Sequence, residues 1–236
     1  MEQEAHEPQE QGKGLLARLA QLPDPRSRHG RRYRLAALLG IAVAAVLSGA
    51  RTYTEVAEFA AELSQEQLAA LGIRKRVWEA RYQAPGETAL RRLLQRLDVE
   101  AVDALVGGWL AEQLPEGDRS AVAVDGKTIR GARGADGQRP HLLAALVHGH
   151  GVVVAQRQVD AKSNEISGFG PLLDQVDLAG RVVTADALHT QRAHARSLVE
   201  DRRAAYLLVV KGNQPGMVEA INRIGEQAFS PCASDG

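Results

Sequence analysis

Ser120-Ala-Val-Ala-Val-Asp125 and Arg181-Val-Val-Thr-Ala-Asp186 are two short apolar runs, each closing on an aspartate. Runs of this length, rich in valine and bounded by polar residues, read as strands with little exposed surface. Between them, Leu142 to Val147 and Val152 to Val159 flank His148-Gly149-His150-Gly151, which predicts a hairpin. Leu172 to Val176 fits a short helix, 190–203 reads as helical, Tyr206 to Val210 as a strand and 216–228 as a helix. The predicted order is βββαβαβα.

Upstream the pattern differs. Leu15 to Leu22 predicts a short helix, stopped by Pro23-Asp24-Pro25. A buried helix is expected from Leu35. Thr52-Tyr53-Thr54-Glu55 and Ser64-Gln65-Glu66-Gln67 have capping-box spacing and start two more helices, the second closed by Gly72. In the helix from Glu87 to Leu97, Leu90, Leu93, Leu94 and Leu97 form a stripe with Arg91, Arg92 and Arg96 opposite. The last helix, 99–113, is weakened by Gly107-Gly108. Composition changes at Pro115-Glu116-Gly117. The expected class is α+β: a disordered tail over 1–13, a helical domain over 14–115, an RNase H-like α/β domain over 119–229, and a tail over 230–236.

Bulk composition narrows the function. The 236 residues are 44% hydrophobic, enough for a core. One cysteine, Cys232, excludes a disulfide framework or a cysteine-rich zinc module. The chain opens without a basic segment and apolar run, so a cytoplasmic location is expected. Leu35 to Ala50 is shorter than the roughly 20 residues a bilayer span needs, which favours a buried helix over a membrane segment. Net charge is zero, yet Arg26 to Arg34 holds five arginines and no acid, while Met1 to Glu10 holds four glutamates. A balanced total hides a basic patch suited to phosphate.

Asp125 and Asp186 carry the chemistry. A charge at the end of a buried strand is costly unless something compensates it, and a divalent cation does. Taken singly, each aspartate reads as a turn cap, and Asp125-Gly126 as a hairpin-turn dipeptide. Taken together, they read as a pair able to hold Mg²⁺ or Mn²⁺ for phosphoryl transfer. His189 and His194 lack the i, i+4 zinc spacing, His148 and His150 belong to a turn, and no serine-hydrolase elbow is present.

Five stretches, in order, resemble one family. They are Asp24-Pro25-Arg26 with its basic continuation, Val124-Asp-Gly-Lys-Thr-Ile-Arg-Gly131, Lys162-Ser-Asn-Glu-Ile166, Val183-Thr-Ala-Asp-Ala-Leu-His-Thr-Gln191 and Tyr206-Leu-Leu-Val-Val-Lys-Gly-Asn-Gln214. Together they are similar to bacterial insertion-sequence transposases of the H-repeat-associated type, within the DDE superfamily. The resemblance covers about Leu15 to Pro215. It implies Asp125 and Asp186 as the first two metal ligands of an enzyme that cleaves and joins DNA strands in transposition and recombination. It also implies a third acid, a glutamate on a late helix. Glu219 and Glu226 lie on a plausible helix, but their surroundings do not resemble that motif. The expectation is therefore a truncated copy with an incomplete catalytic domain. The other reading is an inactive DNA-binding remnant, or an inhibitor of full-length transposase. A complete RNase H-like nuclease would need Glu165, Glu219 or Glu226 as the missing acid. Glu165 reads as a substitute acid or as a charge favoured by a helix amino terminus.

The expected partner is double-stranded DNA, as transposon ends and target, with a homo-oligomer compatible and no membrane. Candidate DNA contacts are Arg26, Arg28, Arg31 and Arg32, then Lys127, Arg130 and Lys211, with the groups at 74–76 and 91–96 behind them. Lys211 reads equally as a phosphate contact or a turn lysine, while the arginine runs also read as solvated faces, the usual fate of a charge run. Gly131 to Gly137 reads as a hairpin loop rather than a phosphate cradle.

Overall fold

A computed structural model of the chain describes residues 14–75, 78–132, 137–159, 165–212 and 214–224. The two tails, Arg76, Lys162 to Asn164, Glu226 and Cys232 lie outside the described residues. The chain divides into two compact units, Met1–Val106 and Gly107–Gly236.

The first unit is helical: α1 (Leu15–Leu19), α2 (Leu35–Leu47), α3 (Tyr53–Glu62), α4 (Gln65–Ala70), α5 (Glu87–Leu94) and the start of α6 (Val99–Glu112). Both capping boxes form. Thr52 Oγ1 accepts from the Glu55 amide at 3.2 Å and Ser64 Oγ from the Gln67 amide at 3.2 Å, with both reciprocal bonds present. Gly72 supplies the left-handed residue, φ +82°, that ends α4. α2 is the central element, with Leu38, Ile41 and Ala45 fully buried, and α5 turns Leu90 and Leu93 into the same core. No described helix is long and apolar enough to cross a membrane.

The second unit is built on one sheet: β1 (Val122–Thr128), β2 (His141–Val147), β3 (Val152–Val159), β4 (Val182–Ala185) and β5 (Ala205–Leu208). Strand order is β3-β2-β1-β4-β5. β1–β2 and β2–β3 pair antiparallel, while β1–β4 and β4–β5 pair parallel. α7 (Glu165–Leu173) packs on β2 and β3. α8 (Arg192–Arg196) runs on into a π-helical turn, Ser197–Asp201, and α9 (Pro215–Ile224) follows β5. The expected βββαβαβα order and its RNase H-like arrangement hold.

Two local expectations are corrected. β1 does not stop at Asp125. It continues to Thr128, each residue paired with β2, so Asp125-Gly126 lies inside a strand and makes no turn. Only the side chains become polar there; the ladder does not end. α7 begins at Glu165, not near Leu172. A Cβ at Gly168 would meet Val159 Cγ1 at 2.8 Å, so the glycine lets helix and sheet close up. Tertiary packing outweighs propensity here. Gly107 has the same role at the end of α6, where an added Cβ would lie 2.3 Å from the Val154 carbonyl oxygen. Val154 is the extra residue of a bulge, since Ala145 pairs with Ala155 and Leu146 with Val153.

Candidate active site

The parallel register of β1 and β4 brings the aspartates together. Val122 pairs with Val183, Ala123 with Thr184 and Val124 with Ala185. The next position on each strand is Asp125 and Asp186. Paired residues share a face, and alternation puts Val122, Val124, Val183 and Ala185 in the core while both aspartates are exposed. Asp186, just past the end of β4, accepts from the Leu188 amide at 2.9 Å, which starts the 3₁₀ turn Ala187–His189. Asp125 has no side-chain partner among the described residues.

Contacts at the strand entries fix this register. Asp118, just before β1, accepts from Arg181 Nη1 at 2.9 Å, and Arg181 sits just before β4. The same nitrogen donates to the Ser120 carbonyl at 2.9 Å. The Ser120 hydroxyl, with Arg181, holds the Asp118 carboxyl at about 2, well under the usual carboxylate range.

Behind the sheet lies a group that sequence reasoning did not assemble. Glu165 is 3% exposed. Its carboxylate accepts from His141 Nε2 at 2.5 Å, and His141 Nδ1 meets Thr128 Oγ1 at 2.8 Å. His189 Nε2 is 3.6 Å from the other Glu165 oxygen, beyond hydrogen-bond reach, and both of its ring nitrogens are buried without a partner. The His189 ring stacks on Phe169 at 4.8 Å, and Phe169 also stacks on His194 at 4.3 Å. Burial pushes the His189 imidazole below its ordinary range, against the opposing pull of Asp186. Glu165 occupies space that a side chain at Gly126 would fill, with its carboxylate 2.6 to 2.7 Å from an ideal Cβ. Gly126 and Asp125 are successive residues of one strand, so that space is on the opposite face from Asp125. Glu165 thus sits buried at the start of α7, bonded to His141, on the face of β1 opposite Asp125. Glu219 is exposed and paired with Arg223 at 2.6 Å.

The cationic candidates divide in two. Lys127, two residues beyond Asp125 and therefore on its face, is exposed, and it lines with Arg130 an open cleft of about 520 Å³. Lys211 is exposed beyond β5. Its loop is tied to the turn after Asp186 by Thr190 Oγ1 donating to the Val209 carbonyl (2.6 Å) and Gln214 Nε2 to the Thr190 carbonyl (3.0 Å). In the first unit, Arg26 is consumed by Asp24 and the Tyr33 carbonyl. Arg31 caps the Asp24 and Arg26 carbonyls, Arg32 pairs with Glu79 at 3.0 Å, and Arg28 is exposed.

Two hard carboxylates side by side fit a magnesium-like ion, which usually takes one or two carboxylates and completes its shell with water and phosphate oxygens. Among the described residues no group of three or more acidic, histidine or cysteine side chains could hold a metal.

The Transposase DDE domain model matches residues 116–218, and the DDE_Tnp_1-associated model matches 16–110. The protein named "Putative transposase YncI" in Escherichia coli strain K12 is 33% identical over 202 residues, covering 85% of this chain and 78% of that protein. The chain belongs to the DDE transposase family. Its namesake in E. coli O157:H7, also 33% identical, is matched over 50% of its length. "H repeat-associated putative transposase YhhI" of strain K12 is 26% identical, covering 92% of this chain and 55% of that protein. The chain thus spans about half the length of several curated family members it matches. Among solved structures, the piggyBac transposase synaptic complex with hairpin DNA aligns at a TM-score of 0.45 and 10% identity, over 88% of this chain and 50% of that one.

Proposed function

We propose that Asp125 and Asp186 are two of the metal-holding carboxylates of a DDE transposase that acts on double-stranded DNA at transposon ends and target. The register that makes them neighbours on β1 and β4, exposed and on one face, carries this reading. A bound divalent ion, Mg²⁺ or Mn²⁺, would supply activation of the attacking hydroxyl and stabilisation of the leaving oxygen. The chain's part is to hold two anionic oxygens at a fixed separation on a rigid sheet. Lys127, Arg130 and Lys211, around the same edge, are placed to take the flanking phosphates as exposed cations.

Two measurements test it. Mn²⁺ binding followed by electron paramagnetic resonance is expected for the chain and lost in Asp125→Ala and in Asp186→Ala. Metal-dependent cleavage of a labelled duplex carrying the element's end is expected to fall by several orders of magnitude in the same variants. Wild-type Mn²⁺ affinity in the double variant would overturn the assignment. Binding of the duplex without cleavage would favour a DNA-binding role for this chain.

A further inference from the structure

The first unit carries a groove lined by arginines, within one compact unit and apart from the aspartate pair. Arg26, Ser27, Arg32, Thr88, Arg92 and Arg96 line a groove of about 590 Å³ beside the start of α5. Its charge is not balanced. Asp24 is taken by Arg26 and Arg31, Glu79 by Arg32, and Glu87 by Arg91 four residues along the helix. Arg92 on α5 and Arg96 in the turn that follows it, both exposed, have no acidic partner among the described residues. Of the four arginines that line the groove, Arg92 and Arg96 are thus the uncompensated pair, and an anion between them would neutralise that charge.

The groove is also held open. Arg26 is locked by three hydrogen bonds to Asp24 and one to the Tyr33 carbonyl, while Arg32 stacks over the Tyr33 ring at 5.3 Å. The wall formed by Arg26 and Arg32 therefore needs little ordering on binding. The adjoining helix end adds donors. Gly86 caps α5 without a side chain, and the Glu87 and Thr88 amides have no backbone acceptor among the described residues. Arginine forks matched to oxygen pairs, hydroxyls and free amides are the donor set that phosphate takes.

We propose that this groove clamps consecutive backbone phosphates of duplex DNA, with Arg92 and Arg96 as the contacting residues and Arg26 and Arg32 as its fixed wall. Naming DNA as the source of the phosphate rests on the transposase reading; the site itself does not involve the aspartate pair. Each phosphate neutralised contributes about −0.9 to the slope of log K against log salt.

The test is fluorescence anisotropy of a labelled duplex with the full chain, in EDTA, across a salt series. The Arg92→Ala/Arg96→Ala variant is expected to weaken binding at least tenfold and to flatten the slope by about 1.8. Arg196→Ala/Arg223→Ala removes the same charge elsewhere and is expected to leave the slope near wild type. Thermal melts confirm that each variant is folded, and Arg92→Lys/Arg96→Lys, which keeps the charge, is expected to retain most of the slope. An unchanged slope in Arg92→Ala/Arg96→Ala overturns the groove, as does an equal loss in the control pair. Because metal is absent, Asp125→Ala is expected to bind normally here, so failure of the aspartate assignment and failure of the groove give different results.

Discussion

The two sides of β1 handle negative charge in opposite ways. On one, Asp125 stands exposed beside Asp186, with no side-chain partner among the described residues. On the other, one residue along the strand, Glu165 is sealed over Gly126, bonded to His141 and close to His189. A carboxylate that serves the fold is buried and satisfied, because an unpaired buried charge costs several kcal/mol. On the proposed reading Asp125 keeps its oxygens for a metal ion, and the fold gains little from it.

The strongest way to break this comparison is to exchange the consequences. Glu165→Ala leaves His141 Nε2 buried without its acceptor and is expected to cost about 3 kcal/mol, read as a shift in the urea midpoint. Asp125→Ala in the same assay is expected to stay within about 0.5 kcal/mol, while removing Mn²⁺ binding. If Asp125→Ala destabilises as much as Glu165→Ala, the division of labour is wrong.

A smaller effect sharpens the back side. Gly126→Ala places a methyl group where the Glu165 carboxylate lies. The expected loss is about 1–3 kcal/mol, and combining it with Glu165→Ala, which vacates the space, is expected to add much less than the sum. Additive losses would mean that the two residues do not meet.

The smallest effect is the pH response of His189. Its folded-state value lies under the unfolded one because burial disfavours the imidazolium. The unfolded chain therefore takes up the proton first, and stability falls as pH drops below about 6.5. His189→Phe keeps the stack on Phe169 and removes the titration, so the melting temperature is expected to lose its slope between about pH 6.5 and 5. Asp118 does not confuse this window. Held at about 2 against its ordinary 3.8, it gives stability that is complete above the unfolded value and lost as pH falls from about 4 toward 2. An unaltered slope in His189→Phe would assign the acid response elsewhere.

Much of this architecture could be read from residue patterns. Capping boxes at Thr52 and Ser64, the hairpin around Gly149 and the apolar strands rest on local chemistry, and the chain obeys it. What escaped was set by distant residues. The turn chemistry of Asp125-Gly126 is overruled by pairing with Ala144 and Leu143. The start of α7 at Glu165, ahead of the expected Leu172, goes with the packing of Gly168 against Val159 and Leu143. His141, Glu165 and His189 come from three elements, and no spacing rule joins them. His189 left one faint trace, its place three residues after Asp186. In the first unit, the arginine cluster looked uniform, whereas Arg26 and Arg31 serve the loop and Arg92 and Arg96 face outward.

The clamp of Arg181 on Asp118 has a consequence in time. The two aspartates lie 61 positions apart in the chain, on parallel strands separated by a hairpin and a helix. Contacts of such long sequence separation carry a large loop-closure entropy, which the intervening hairpin and helix reduce. A chain that has made β1, β2 and β3 but not yet docked β4 holds one aspartate and no pair. On the proposed reading, the β1–β4 ladder is therefore the pairing that assembles the site, and a chain without it has no two-carboxylate edge.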